Sequence, residues 1–238
     1  MNNMVVIGGS RGAGRAIAEM GVQQGMTVLT VARNFGQTVE GAEFMALDAA
    51  QDDAAERVFS ELEPDLLVIG GGVHPPAAPL HQQSWSEFSV NWEADVRIAF
   101  NFLKAALSRP LRPGSSVILL SSGAALAGSP ISGGYAGSKR TQLFMANYAQ
   151  KESDRLGLGL RFASLAPRIM PDTALGGHAV AGYARYLGIT EAAFVQGMSA
   201  PPTPLDVAKG VFELAGDAES AKGKVYVVSG NGLEAAPL

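Results

Sequence analysis

Short apolar runs alternate with longer helical patterns along most of this 238-residue chain, and this alternation constrains the fold more than any other feature. The predicted strands are 4–7, 27–31, 43–47, 66–69, 116–120, 160–165 and 224–228. The predicted helices are 14–24, 52–62, 84–107, 135–156 and 205–214. Because strands that alternate with helices pair in parallel, the pattern predicts an α/β fold with a doubly wound, mostly parallel seven-stranded sheet and helices on both faces.

Composition limits the range of functions. With 47% hydrophobic and 17% charged residues, the chain suits one compact domain over residues 1–238. The net charge is −4 and no basic run occurs, so we expect no nucleic acid partner. No apolar run reaches the ~18 residues of a bilayer span, so we expect no membrane association. The absence of cysteine fits a reducing compartment, and the predicted location is the cytoplasm.

Two further features concern metals and the later part of the chain. His74, His81 and His178 are scattered without an acidic cluster, so we interpret them as ordinary loop residues and predict no metal site. The segment 173–204 interrupts the strand–helix alternation and is rich in glycine and alanine. Such a segment is typical of a lid over a substrate or of a subunit contact, and the two roles do not exclude each other.

The first predicted strand runs directly into a glycine-rich loop that opens the first helix. Glycines leave the N–H groups at a helix start accessible, so the loop predicts a site for the diphosphate of a dinucleotide. The alternative is a plain tight turn in a chain that contains 29 glycines. The residues predicted to bind the cofactor here are Gly8, Ser10, Arg11, Gly12, Ala13 and Gly14.

The end of the second predicted strand indicates which dinucleotide is bound. It carries Arg33 and Asn34 instead of an acidic residue, and the planar donor fork of Arg33 suits a 2′-phosphate. Arg11 could reach the same phosphate from the glycine loop. We therefore predict NADP(H), with NAD(H) still possible, although solvated arginines are the alternative interpretation. Asp48 and Ala49, after the third strand, are predicted to contact the adenine, while an Asp there is also a common capping residue.

The residues predicted to carry the chemistry are Ser122, Tyr135 and Lys139. Tyr135 and Lys139 lie four residues apart, so on a helix they share a face, and an ammonium beside a phenol favours the phenolate. A phenol of this kind can supply the proton when a ketone is reduced at neutral pH. The alternatives are a strand-end cap for Ser122, a half-buried aromatic for Tyr135 and a solvated side chain for Lys139.

Together these motifs resemble the short-chain dehydrogenase/reductase family in its most common form, over essentially the whole chain. The resemblance implies a Rossmann-type domain in which Tyr135 is the general acid, Ser122 polarises the substrate carbonyl and Lys139 binds the nicotinamide ribose. It also implies cofactor contacts from Tyr135, Lys139, Pro167 and Thr173. A homodimer or homotetramer formed through the helices 84–107 and 135–156 is implied as well.

The chain departs from the family pattern at three places. Where the family has Asn-Asn-Ala-Gly, this chain has Gly70, Gly71 and Gly72, which keep backbone access to the adenosine ribose but lose the asparagine side chains. The fourth catalytic residue, usually asparagine, falls on Asp95, whose main-chain carbonyl could still support a water-linked proton path to the lysine; Asn91 is the fallback.

The third departure is Arg168, which follows Pro167 where glycine normally lets the nicotinamide carboxamide approach. Its side chain is predicted to point into the pocket or to contact a cofactor phosphate. The function expected from all these residues is NADPH-dependent interconversion of a small carbonyl compound and its alcohol. The competing hypothesis is a non-catalytic NADP(H)-binding sensor or scaffold with the same fold.

Overall fold

A computed structural model describes residues 1–34 and 38–237, and within them the strands form an eight-stranded sheet. The strands are β1 (Asn3–Ile7), β2 (Thr27–Ala32), β3 (Glu43–Ala46), β4 (Leu66–Ile69), β5 (Ser116–Leu120), β6 (Arg161–Pro167), β7 (Val225–Ser229) and β8 (Gly232–Ala236). They lie in the order β3-β2-β1-β4-β5-β6-β7-β8, and every neighbouring pair is parallel except β7 with β8. The predicted α/β class is confirmed, with one strand more than the seven expected.

Helices cover both faces of the sheet, as predicted. They are α1 (Gly12–Gln23), α2 (Ala54–Glu61), α3 (Trp85–Asn91), α4 (Arg97–Ser108), α5 (Ala124–Ala127), α6 (Gly133–Leu156), α7 (Ala174–Leu187), α8 (Glu191–Gln196), α9 (Pro204–Gly216) and α10 (Ala218–Ala221). Alternate residues of β1 enter different cores, because successive side chains of a strand point to opposite faces. Val5 and Ile7 pack with residues of α2, α4 and α6, whereas Met4 and Val6 pack with residues of α1 and α9. In the described part of the chain no helix combines the length and the apolar character of a bilayer span.

Strand β8 is the element that the sequence pattern does not reveal. It follows β7 after a two-residue turn and pairs with it antiparallel, from Ser229 opposite Gly232 to Val225 opposite Ala236. Its residues are half-buried or exposed, and its sequence GLEAA has neither β-branched residues nor an apolar alternation. The strand exists because the hairpin supplies hydrogen bonds at the sheet edge, so the seven-strand prediction was wrong there.

The predicted helix 84–107 is interrupted. It consists of α3, a π-helical turn (Trp92–Val96) and α4. Its start is fixed by a reciprocal cap, since the Ser84 hydroxyl accepts from the N–H of Glu87 while the Glu87 carboxylate accepts from the N–H of Ser84. The π-helical turn adds a residue to one turn of the helix, and it carries Asp95, a buried carboxylate.

The segment 173–204 is mostly helical. Thr173 caps α7 by accepting from the N–H of Gly176, and Thr190 caps α8 by accepting from the N–H of Ala193. Tyr183 of α7 stacks on Phe194 of α8 with ring centroids 5.4 Å apart. The two helices therefore form a small packed unit on the rim of the sheet rather than an irregular loop.

Candidate active site

A cavity of about 1340 Å³ opens at the carboxyl ends of the parallel strands. The strand order reverses between β1 and β4, and in sheets of this type ligands bind in the crevice at that point. The volume exceeds the ~300–1,000 Å³ of ordinary ligand pockets, so a dinucleotide and a second molecule both have room. Every residue predicted above for catalysis or for the cofactor lines this cavity, whereas the fallback Asn91 is not among its lining residues.

The glycine loop after β1 leaves no space for a side chain at Gly8 or at Gly14. Gly8 has φ +86° and lies against the end of β4, where an added Cβ would be 2.8 Å from the backbone nitrogen of Gly71. A methyl group at Gly14 would overlap the carbonyl oxygen of Gly8. Helix α1 also begins without a side-chain cap and without an acidic residue in its first turn. The loop therefore presents uncapped helix N–H groups to the cavity, an arrangement that fits a diphosphate.

The start of α7 lies close to this loop. An ideal Cβ on Gly12 would be 3.8 Å from the side-chain methyl of Thr173. The Thr173 hydroxyl donates to the carbonyl of Met170 at 2.9 Å and accepts from the N–H of Gly176 at 3.0 Å. The beginnings of two helices thus converge on one region, which concentrates positive helix-end potential where the diphosphate is expected.

The side chains that were predicted to bind the adenosine part of the cofactor lie at the ends of β2 and β3. Arg33 and Asn34 follow β2 and are exposed on the cavity wall. In the described part of the chain neither Arg33 nor Arg11 forms an ion pair. Asp48 lines the same end, and its Oδ1 accepts from the N–H of Ala50 at 3.0 Å. Asp48 therefore stabilises its own loop through Oδ1 and lines the cavity.

Ser122 is the second residue after β5 and is placed by a backbone contact with the end of β6. The N–H of Gly123 donates to the carbonyl of Pro167 at 2.8 Å, which ties the two strand ends together. The Ser122 Oγ accepts from the N–H of Ala124 at 3.2 Å. The hydroxyl hydrogen of Ser122 is thus available to donate to a ligand in the cavity.

Tyr135 and Lys139 lie on one face of α6, as the four-residue spacing predicts. The Lys139 Nζ is 5.6 Å from the centroid of the Tyr135 ring, within cation–π range. The start of α6 packs closely on α3, because a side chain at Gly134 would overlap the carbonyl oxygen of Phe88. This contact holds the start of α6, and with it Tyr135, in position at the cavity. Tyr135 is half-buried there.

Lys139 is buried and forms an ion pair with Asp95. Its Nζ is 3.2 Å from Asp95 Oδ2 and donates to the carbonyl of Leu120 at 3.4 Å. The two side chains are 6% and 2% exposed. Burial has the largest single effect on the Lys139 pKa and lowers it, but the charges of Asp95 and Tyr135 and the bond to Asp95 together outweigh it, so the pKa is raised. Lys139 therefore remains an ammonium inside the protein.

The Asp95 carboxylate is held by the loop after β4 as well as by the lysine. Its Oδ1 accepts from the N–H of Val73 at 3.1 Å. An ideal Cβ on Gly72 would lie 2.6 Å from Oδ1, so a side chain at position 72 and a carboxylate at 95 exclude each other. The glycine run that departs from the family pattern thus has a physical reason at Gly72, namely space for Asp95.

The role expected of the Asp95 main-chain carbonyl in a water-linked path stays a prediction. That carbonyl accepts a buried hydrogen bond from Gln142 Nε2 at 2.9 Å, which leaves its second lone pair for a water, and the Asp95 carboxylate meets Lys139 directly. The fallback Asn91 donates to the carbonyl of Val73 at 2.9 Å and lies 3.4 Å from Asp95 Oδ1. Asn91 therefore supports the carboxylate, and of the two side chains Asp95 is the one that contacts Lys139.

Two of the three histidines, His74 and His178, line the cavity, and their mutual contact was not predicted from the sequence. The rings of His74 and His178 have centroids 5.9 Å apart, and His178 Nε2 donates to the carbonyl of Pro75 at 2.9 Å. Burial, followed by the charges of Arg11 and His178, lowers the His74 pKa. The described residues contain no group of three metal-binding side chains. No local sequence pattern indicates this contact, because His74 lies in the loop after β4 and His178 lies on α7.

A family model described as short chain dehydrogenase matches residues 2–182 of this chain. Among curated proteins, a 3beta-hydroxysteroid dehydrogenase of Mediterraneibacter gnavus is 26% identical over 168 residues. That alignment covers 62% of this chain and 61% of the relative, so the match spans about three fifths of the relative's length.

Three solved structures are similar over nearly the whole chain. Levodione reductase has a TM-score of 0.83 at 18% identity, with 97% of this chain and 96% of that chain covered. A short chain dehydrogenase family protein from Francisella tularensis subsp. tularensis SCHU S4 has a TM-score of 0.81 at 20% identity, covering 97% and 98%. A structure described as ElxO with NADP bound has a TM-score of 0.78 at 19% identity, covering 97% and 98%. At these identities the similarity establishes the fold.

Proposed function

This chain belongs to the short chain dehydrogenase family of NAD(P)-binding oxidoreductases, and on that premise we propose that it interconverts a ketone or aldehyde and its alcohol with NADP(H). One observation carries the proposal. Ser122, Tyr135 and Lys139 line the same cavity as a glycine loop that has no room for a side chain at Gly8 or Gly14 and that leaves the start of α1 uncapped. A cavity that combines a dinucleotide site with these groups supports redox chemistry on a carbonyl.

Each residue has a distinct task in this mechanism. A dinucleotide held by the glycine loop and Lys139 would supply or accept the hydride through its nicotinamide. The Ser122 O–H donates to the substrate oxygen and stabilises the charge that develops there. Tyr135 gives the oxygen its proton in reduction and removes it in oxidation. The Lys139 ammonium has three N–H groups; one is directed at Asp95, one at Leu120, and the third can bind a ribose hydroxyl.

The preference for NADP(H) rests on Arg33, with Arg11 as a second cation. Arg33 is exposed at the end of β2, and no carboxylate of the described residues pairs with it. A guanidinium in this position matches a 2′-phosphate better than a ribose hydroxyl. NAD(H) use would require another group to bind the adenosine ribose, and Asn34 is a candidate for that contact.

The decisive experiment compares two tyrosines of α6. NADPH binding is followed by fluorescence, and its oxidation is then measured with a panel of ketones and aldehydes. Tyr135→Phe should abolish turnover while NADPH still binds, because the proton donor is lost and the fold is kept. Tyr148→Phe is the matched control, since Tyr148 is 60% exposed and lies outside the cavity.

The competing proposal is a non-catalytic NADP(H) sensor. It is favoured by the buried charge pair and by Arg168, which both change the usual site. NADPH binding without turnover of any carbonyl compound, in wild-type protein and in Tyr135→Phe alike, would support the sensor and overturn the reductase.

We also propose a homodimer or homotetramer, and the cytoplasm as its location. The oligomer is supported by exposed aromatic side chains on the helices that were predicted to form the contact. Phe144 and Tyr148 of α6 stack with centroids 6.2 Å apart, and Phe100 of α4 is 53% exposed. Exposed aromatic clusters of this kind are enriched in protein interfaces.

A further inference from the structure

Resting on the proposed reductase function, we propose that Arg168 selects substrates in which the reacting carbonyl lies within a few bonds of a carboxylate, such as 2-oxo and 3-oxo acids. In this assignment the guanidinium binds the substrate carboxylate, while Ser122 and Tyr135 bind the carbonyl oxygen. Arg168 is then a residue that determines specificity.

The backbone fixes Arg168 beside the catalytic serine. Its N–H donates to the carbonyl of Val228 at 3.1 Å, and the preceding carbonyl, that of Pro167, accepts from Gly123 at 2.8 Å. An ideal Cβ on Gly123 would lie 3.6 Å from the Arg168 Cα and 3.8 Å from its Cγ. The side chain therefore leaves β6 alongside Gly123, the residue directly after Ser122, and it lines the cavity.

The charge of Arg168 is not compensated by the described part of the protein. No carboxylate there lies within ion-pair distance of its guanidinium. Three carboxylates line the cavity: Asp95 is already bound to Lys139, Asp48 lies at the opposite end, after β3, and Glu93 of the π-helical turn is exposed and forms no ion pair with Arg168. A guanidinium offers five N–H groups in a planar fork that matches a carboxylate, so an anionic ligand is its natural complement.

The cofactor diphosphate is the other anion to consider, and the sheet geometry separates it from Arg168. The diphosphate loop follows β1, while Arg168 follows β6, and β4 and β5 lie between them. Three strand spacings of ~4.8 Å place the two strand ends about 14 Å apart. The part of the cavity beside Arg168 has apolar lining residues, namely Ile169, Met170 and Leu126. Such a lining suits the carbon skeleton of an oxo acid.

The test compares benzoylformate with its methyl ester, and acetoacetate with ethyl acetoacetate, as substrates of the NADPH-loaded protein. Wild type should prefer each acid over its ester. Arg168→Ala should reduce this acid-to-ester preference in kcat/KM by about 10- to 100-fold, mainly through a higher KM for the acids. Arg168→Lys should recover part of the preference. Arg185→Ala, an exposed arginine of α7 outside the cavity, is the control and should keep it.

Calorimetric binding of benzoate to the NADPH complex provides a readout that does not depend on turnover. Benzoate should bind to wild type and to Tyr135→Phe, and its affinity should fall at least tenfold in Arg168→Ala. An unchanged acid-to-ester preference in Arg168→Ala would overturn the proposal, as would a loss of NADPH affinity as large as the loss of benzoate affinity. Turnover that is absent for acids and esters alike, with Arg168-dependent benzoate binding intact, would instead overturn the reductase function.

Discussion

Asp95→Asn removes one charge from the buried pair with Lys139 while keeping the shape of the side chain, and we expect it to lower the free energy of unfolding at pH 7 by about 3 kcal/mol. The carboxylate is 1% exposed and its oxygen lies 3.2 Å from the ammonium. Coulomb's law with an effective dielectric constant of ~20 gives an attraction of about 5 kcal/mol at that separation. Measured losses for breaking a buried pair are roughly 3–5 kcal/mol. Asparagine can still accept from the N–H of Val73, so the lower end of that range applies.

The effect should depend on pH in a defined direction. In wild type the Lys139 pKa is raised, through Asp95 and Tyr135 and against the effect of burial. Its stabilisation is therefore fully present below the unfolded-state pKa of ~10.4 and is lost as the pH rises through the folded-state value. In Asp95→Asn the effect of burial is no longer opposed by the carboxylate, so we expect the Lys139 pKa to fall and the variant to gain stability as the pH rises from 7 towards 10.

Urea unfolding of wild type and of Asp95→Asn at pH 7, 8.5 and 10 measures the difference between their unfolding free energies. That difference should become smaller as the pH rises. The control is Asp52→Asn, because Asp52 pairs with Arg97 at a shorter 2.9 Å but is 85% exposed. Because water and salt screen that surface pair, Asp52→Asn should leave the free energy of unfolding almost unchanged. The assignment of a charged, buried pair would be refuted if Asp95→Asn were as stable as wild type. It would also be refuted if the difference between their unfolding free energies stayed constant from pH 7 to 10.

Three further predictions follow from the cofactor site and the surface. Arg33→Ala should weaken NADPH binding about 10- to 100-fold and NADH binding much less, in fluorescence titrations; equal weakening of the two would contradict the contact with the 2′-phosphate. Gly14→Ala should abolish cofactor binding or folding, since the methyl group overlaps the carbonyl oxygen of Gly8, whereas Gly216→Ala, which meets no atom within 4 Å, should bind NADPH normally. Light scattering should give two or four times the 24.7 kDa chain mass, and Phe144→Glu should reduce that mass; a wild-type protein of 24.7 kDa would exclude the oligomer.

Much of this fold could be predicted because its signals are local. The apolar runs before Gly8, Gly70 and Ser122 become the parallel strands β1, β4 and β5, and in a parallel sheet the ends of such strands meet at one edge. That rule alone brings three separate stretches of sequence to one cavity. The four-residue spacing of Tyr135 and Lys139 is equally local, because it depends only on the helical period.

The parts that could not be predicted depend on contacts between distant segments. The pairing of Asp95 with Lys139 requires the π-helical turn to press against α6, and no pattern within residues 84–107 distinguishes that turn from a regular helix. His74 and His178 meet only because α7 crosses towards the loop after β4. Strand β8 is stabilised by the edge of β7 rather than by its own residues. In each case tertiary contact decides where local preference is neutral.

The π-helical turn has a consequence for how this site can change. Each residue advances an α-helix by about 100°, so deleting one residue from Trp92–Val96 would give a regular helix whose first part is rotated by that angle relative to α4. Helix α3 is held by its close contact with Gly134, and Asp95 is held by Lys139, and a rotated helix cannot satisfy both. Loss of a single residue from this turn, and not only replacement of Asp95, would therefore separate the carboxylate from Lys139.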